Sequence, residues 1–190
     1  MKLLKNLIIG VLVIIALVYL VAIPYIHSEA KKISPAKTAL LDLQGSKLAV
    51  AYSSPSKKGR SIFGDLVPFN KIWRTGANEP TTFTTSLPIK IIDKTLPAGK
   101  YSLWTIPNKD SWKVIFNSKI PDWGVTRIDG NKTTHENKFD YLAVEVPVRK
   151  LEEPVEHLSI NFEHIEEDQK TQDFLSLAWD ATKIMVPIYK

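Results

Sequence analysis

At 190 residues the chain has room for one ordinary domain plus an appendage. It holds no cysteine, which excludes disulfide staples, thiolate metal sites and attachment through a lipidated cysteine, so the fold must stand on packing. The net charge of +5 is no nucleic-acid signal: the first 32 residues carry four lysines against one glutamate, the remaining 158 carry only +2, and no basic stripe is interleaved with aromatics.

The appendage is the N-terminus. From Leu7 to Ile26, "LIIGVLVIIALVYLVAIPYI" has no charge, and about 20 residues rising about 1.5 Å each cross a hydrocarbon core of about 30 Å. A cleaved signal peptide is the alternative, with Lys2 and Lys5 as its basic head and Ser28-Glu29-Ala30 around a cut after Ala30. The apolar run exceeds the about 7 to 15 residues usual for a signal, which favours residues 1–30 as a retained anchor. Lys2 and Lys5 on one side face Lys31, Lys32 and Lys37 on the other, so lysines do not choose the orientation. A tiny basic head before a long tail favours export of the tail, placing the domain on the periplasmic or exterior side of the inner membrane.

Residues 31–46 mix charge, proline and small residues and read as a stalk, leaving 47–190 as the domain. Period-two alternation then takes over. Leu48, Val50 and Tyr52 share one face until Ser54-Pro55, Ile89 and Ile91 precede the turn Pro97-Ala98-Gly99, and "KYSLWTI" and "WKVIF" follow. Leu142 to Val148 and Leu158 to Phe162 alternate again, and Leu175 to Trp179 leads through Asp180-Ala181-Thr182 into Ile184 to Ile188 as an expected hairpin. Eight or nine short strands without a 3.6-period segment beyond the N-terminus predict an all-β fold, an antiparallel sandwich or flattened barrel after one transmembrane helix. Residues 118–140 are polar and long enough for a functional or mobile loop.

Familiar catalytic motifs are missing. Gly59 and Gly64 have phosphate-loop spacing, but Asp65-Leu66 stand where Lys and Ser or Thr are required, and there is no G-x-S-x-G or H-E-x-x-H. His157 and His164 face opposite sides of a regular strand, and no metal or cofactor is expected. Trp112 and Trp179 lie at inward parity as core, while Trp104 and Trp123 are open between core and surface.

One stretch concentrates donors. Within "KKGRSIFGDLVPFNKIWRTGANEPTT", residues 57–82, glycines free the backbone around Lys58, Arg60, Arg74, Asn78 and Glu79, with Tyr52 and Ser53 just upstream. A guanidinium forms a planar fork for carboxylate or phosphate, so these residues could converge on an anion. The structural alternative pairs Arg74 with Glu79 or Asp65 and turns Arg60 onto backbone carbonyls. The expectation is mixed: Arg74 half-buried and structural, Arg60 and Lys58 meeting the ligand.

The run "AYSSPSKKGRSIFGDLVPFNKIWRTGANEPTTF", with "LPAGKYSLWTIP" and "WKVIFN", resembles a bacterial family catalogued only as domain of unknown function 2911, whose members are usually exported. The resemblance extends from Ser34-Pro35 to "LAWDATKIMVPI". Tyr52, Ser53, Pro55, Lys58 to Arg60, Ile62 to Gly64 and Trp73 to Glu79 stand at matching positions, whereas Ser54 replaces an arginine and Phe69 a tyrosine. The family implies no activity. The residues themselves favour a membrane-anchored extracytoplasmic module binding a small anionic or polar ligand. The alternatives are a hydrolase, with Glu79 or His135 serving Ser53, Ser56 or Thr75, and a structural subunit of an envelope complex.

Overall fold

The computed structural model describes residues 2–126, 132–167 and 170–190 and divides into two compact units, residues 1–33 and 34–190. The first is a helix from Lys2 to Ile33, long and apolar enough to cross a membrane by length and composition. It consists of α1 (Lys2–Leu17), a π turn (Val18–Ala22) and α2 (Ile23–Ile33). The π turn has a local cause. Pro24 offers no N–H and its ring crowds the carbonyl four residues back, so the ladder widens and the Ile23 N–H reaches Val18 O, five residues back.

The strands of the second unit pair antiparallel. Its strands are β1 (Ala36–Leu43), β2 (Ser46–Ser53), β3 (Thr81–Thr85), β4 (Ile89–Ile91), β5 (Lys94–Leu96), β6 (Gly99–Ile106) and β7 (Ser111–Asn117), then the short β8 (Val125–Thr126) and β9 (Lys132–Thr133), and finally β10 (Asp140–Glu167) and β11 (Lys170–Tyr189). Hydrogen bonding orders nine of them β1-β2-β3-β6-β7-β10-β11-β4-β5, with β8 and β9 pairing separately. β1 occupies half of the segment read as a stalk: Leu43 is buried and Ala39 and Leu41 pack on the core, but exposed Leu40 and the polar residues obscure the alternation. β3, "TTFTT", escapes notice because only Phe83 is a large apolar residue.

The long β10 ties the layers together. Residues Asp140–Pro147 ladder to β7, and from Val148 onward the strand pairs with β11. Side chains of period two place Leu48, Val50, Phe83, Leu103 and Phe116 from one layer against Leu158, Ile160, Leu177 and Ile188 from the other, in one core. Between Lys150 and Ser159 β10 advances nine residues while its β11 partners move four, from Thr182 to Ala178. That bulge, which contains Pro154, frees β10 to pair with the end of β2: Leu158 N donates to Pro55 O at 2.9 Å and Lys57 N to Glu156 O at 2.7 Å.

The expected hairpin at Asp180 is instead a kink in one continuous strand. Asp180 adopts φ 54° opposite the β10 bulge, and both halves of β11 pair with β10. The reversal signal Asp-Ala-Thr is therefore a bend that follows the partner's excess residues.

At this corner Phe63, Trp73, Trp112 and Trp179 form an aromatic cluster. Trp73 stacks on Trp179 at 6.1 Å and Phe63 meets Trp112 edge-on at 4.6 Å. Trp179→Ala should cost about 3 to 5 kcal/mol through lost ring burial and the cavity left behind. Urea unfolding of the variant against the parent protein measures this loss.

Candidate functional site

The donor-rich stretch separates into two places. Its first part, Ser53 to Arg60, lies along the β10 bulge and is heavily engaged. Ser54 Oγ donates to Leu158 O at 2.7 Å, Lys57 forms an ion pair with Asp180, and Lys58 N donates to Glu156 Oε1 at 2.8 Å. Arg60 turns its guanidinium back, Nε to Lys57 O at 2.9 Å and Nη2 to Ser56 O at 2.7 Å. Tyr52 and Ser53 are buried, with Tyr52 in the core. Lys58 and Arg60 remain exposed, but Arg60 already spends two donors on its own loop. Arg60→Ala should leave those carbonyls short of partners and cost about 1 kcal/mol, read as a small fall in melting temperature.

The second part, Trp73 to Thr81, is a tight loop anchored by reciprocal backbone bonds between Trp73 and Thr105, at 2.8 and 2.9 Å. Thr75 and Asn78 hold left-handed φ angles of 57° and 58°, a strain of about 1 to 2 kcal/mol at Thr75, whereas asparagine tolerates this region. The loop's own bonds hold it there: Thr81 Oγ1 donates to Thr75 O at 2.7 Å and Trp73 Nε1 to Gly76 O at 3.1 Å. Gly76 sits tightly, since a Cβ would lie 3.1 Å from Ser53 O and 3.2 Å from Thr81 Oγ1 and its neighbours would have to give way. Asn78 is buried, its amide donating to Ser34 O at 3.4 Å and its carbonyl accepting from Gly124 N at 3.1 Å. Glu79 is half-buried beside it in sequence.

Arg74 differs from every other cation of the stretch. It is half-buried, its Nε is sealed from solvent without a hydrogen-bond partner, and no carboxylate among the described residues pairs with it. Desolvation holds its pKa below the ordinary arginine value. Gly124 covers the stem, and a Cβ there would lie 2.0 Å from Arg74 Cδ and 2.9 Å from its Cβ. The expected pairing with Glu79 or Asp65 is therefore not formed, and it is Arg60 whose donors are taken up by the backbone. Nothing in the spacing of the sequence singled out Gly124, fifty residues downstream.

Thr75 and His135, two of the candidates for hydrolysis, lie on opposite sides of β6. Thr75 Oγ1 lies 3.3 Å from Trp73 O and 3.2 Å from Thr105 Oγ1, on the core side of β6. His135 lies on the other side. There the segment after β7 covers the outer face of the sheet and buries Trp104, whose ring meets His135 edge-on at 5.3 Å. His135 Nε2 is 2.6 Å from Asp140 Oδ1, which also accepts from Asn117 Nδ2 at 2.8 Å. Residues 127–131, within the expected 118–140 loop, lie outside the described residues. Trp123 is half-buried, and His157 and His164 are separated by the end of the bulge, His164 bonding Asp173 at 2.8 Å.

A groove of about 420 Å³ lies elsewhere, between the β4–β5 turn and β10. Its charges balance, Lys94 and Lys113 against Asp93 and Glu145, and Lys94 Nζ is bonded to Ala143 O at 2.8 Å. Among the described residues no group of three or more His, Asp or Glu side chains is placed to hold a metal ion.

The chain belongs to the family described as "Protein of unknown function (DUF2911)", whose model matches residues 34–188, all but the end of the β unit. No curated protein and no solved structure matches it significantly.

The contact between Gly124 and Arg74 is testable by coupling. Gly124→Ala should cost about 1 to 3 kcal/mol by forcing the arginine stem aside. In an Arg74→Ala background most of that cost should disappear, and a double-mutant cycle of chemical denaturation measures the difference.

Proposed function

We propose that the protein is a membrane-anchored, extracytoplasmic binding module that takes a small anionic group at Arg74. The helix Lys2–Ile33 serves as a retained anchor and the domain faces the periplasm or exterior. The observation that carries the reading is the half-buried guanidinium without a counter-charge among the described residues. Leaving a cation partly desolvated costs free energy, and the terminal guanidinium nitrogens, for which no hydrogen bond is made among the described residues, suit a carboxylate or phosphate. An anion docking there supplies the missing charge. Arg60 and Lys58 shape the corner of the sandwich and stay outside the site in this reading, whereas Asn78 orders the loop that presents Arg74.

Arg74→Met keeps the stem that packs on Gly124 and removes the charge. Its melting temperature should equal or exceed that of the parent protein, because no paired carboxylate is stranded. Inorganic phosphate or acetate, added at constant ionic strength against chloride, should raise the melting temperature of the parent protein and leave Arg74→Met unchanged. A destabilisation of about 3 to 5 kcal/mol in Arg74→Met would instead mark a structural ion pair, and the binding reading would fall.

A further inference from the structure

We propose that Arg74, Thr126 and Lys132 form one site and that the anion it takes is a doubly charged phosphoryl group. This deepens the reading of Arg74 as an anion site and rests on it. β8 pairs with β9 so that Val125 opposes Thr133 and Thr126 opposes Lys132. Thr134 N donates to Gly124 O at 3.2 Å, which carries the same ladder back to Gly124. Side chains two apart in a strand share a face, and so do directly opposed residues of a pair. Gly124 faces the Arg74 stem, with Arg74 Cδ 2.0 Å from where a Cβ would lie. Thr126, about 6.5 Å further along, therefore stands on the arginine's side, and Lys132 stands beside it.

Each of the three has polar capacity that the fold does not use. Arg74 Nε and Thr126 Oγ1 are sealed from solvent without a hydrogen-bond partner, two of only three such side-chain atoms among the described residues. Lys132 is exposed, and no ion pair among the described residues includes it or Arg74. Two like charges on one face repel, and a buried hydroxyl without a partner costs free energy. An anion that accepts from all three offsets both costs. A carboxylate brings one charge and is matched by the guanidinium fork alone. A phosphoryl group brings a charge of about −1.5 to −2 and three acceptor oxygens, which suits two cations and a hydroxyl. β8 and β9 pair only with each other, so this arm can part from the arginine to admit the ligand without breaking a ladder of the nine-stranded sheet.

The test follows melting of the full chain in dodecyl maltoside micelles by tryptophan fluorescence. Glycerol phosphate, inorganic phosphate or acetate is added at about 10 mM, at constant ionic strength against chloride. Both phosphates should raise the melting temperature of the parent protein by about 4 °C or more, and acetate by much less. Lys132→Ala should lose most of the phosphate shift and keep the acetate shift. Thr126→Val, which removes the hydroxyl and keeps the shape, should lose part of the phosphate shift while melting no lower than the parent protein without anion. A larger shift with glycerol phosphate than with inorganic phosphate would assign the phosphoryl group to an organic monoester, and the reverse order to the free ion. Equal shifts with acetate and phosphate, unchanged in both variants, would keep Arg74 as an anion site and overturn the three-residue site. A fall in the anion-free melting temperature of Thr126→Val would mark a hydroxyl already bonded within the protein and overturn it as well. No shift with any of the three anions would reject both readings.

Discussion

β10 belongs to both layers of the sandwich, and the bulge that follows its change of partner organises the corner beside the candidate site. The strand exchanges β7 for β11 between Pro147 and Val148, and its extra residues follow, between Lys150 and Ser159. The backbone freed from β11 is not left unpaired, because the stretch after β2 bonds to it from Pro55 to Lys57. Asp180 kinks the opposing strand and Lys57 pairs with its carboxylate, so the corner is pinned from both sides.

The residues that carry the family resemblance divide along this line. Most of them build the corner: Ser53 and Pro55 by backbone, Arg60 by folding onto carbonyls, Trp73 by stacking on Trp179, and Gly76 by leaving no side chain where Ser53 O approaches. A corner of this kind demands particular residue types as strongly as a binding site does. Arg74 is the member whose chemistry the corner does not consume. Its stem is packed, its head is unpaired among the described residues, and the strained loop that holds it costs conformational energy that simpler turns avoid.

The outer face of β6 and β7 shows how a polar segment becomes structural. Trp104 points away from the core, yet is 1 % exposed because the segment after β7 folds over it. His135, Asp140 and Asn117 satisfy one another beneath that cover, and Lys119 pairs with Glu136 at its rim. The tryptophan supplies the burial and the polar network fixes the geometry.

Alternation along single strands made much of the fold legible from the amino-acid order alone: the antiparallel all-β class, the inward parity of Trp112 and Trp179, the strands from Leu142 and Leu158, and the apolar helix. These are local properties, because period two and a charge-free run of helix-spanning length are written in neighbouring residues. Where alternation was blurred, as in β1 and β3, or where a turn signal served a kink, as at Asp180, local reading failed. The roles of the two arginines were a matter for tertiary structure. Whether a guanidinium is satisfied depends on which carbonyls and carboxylates the chain brings beside it. Arg60 meets acceptors three and four residues away, while the fate of Arg74 was decided by Gly124, placed over its stem by a loop fifty residues further on.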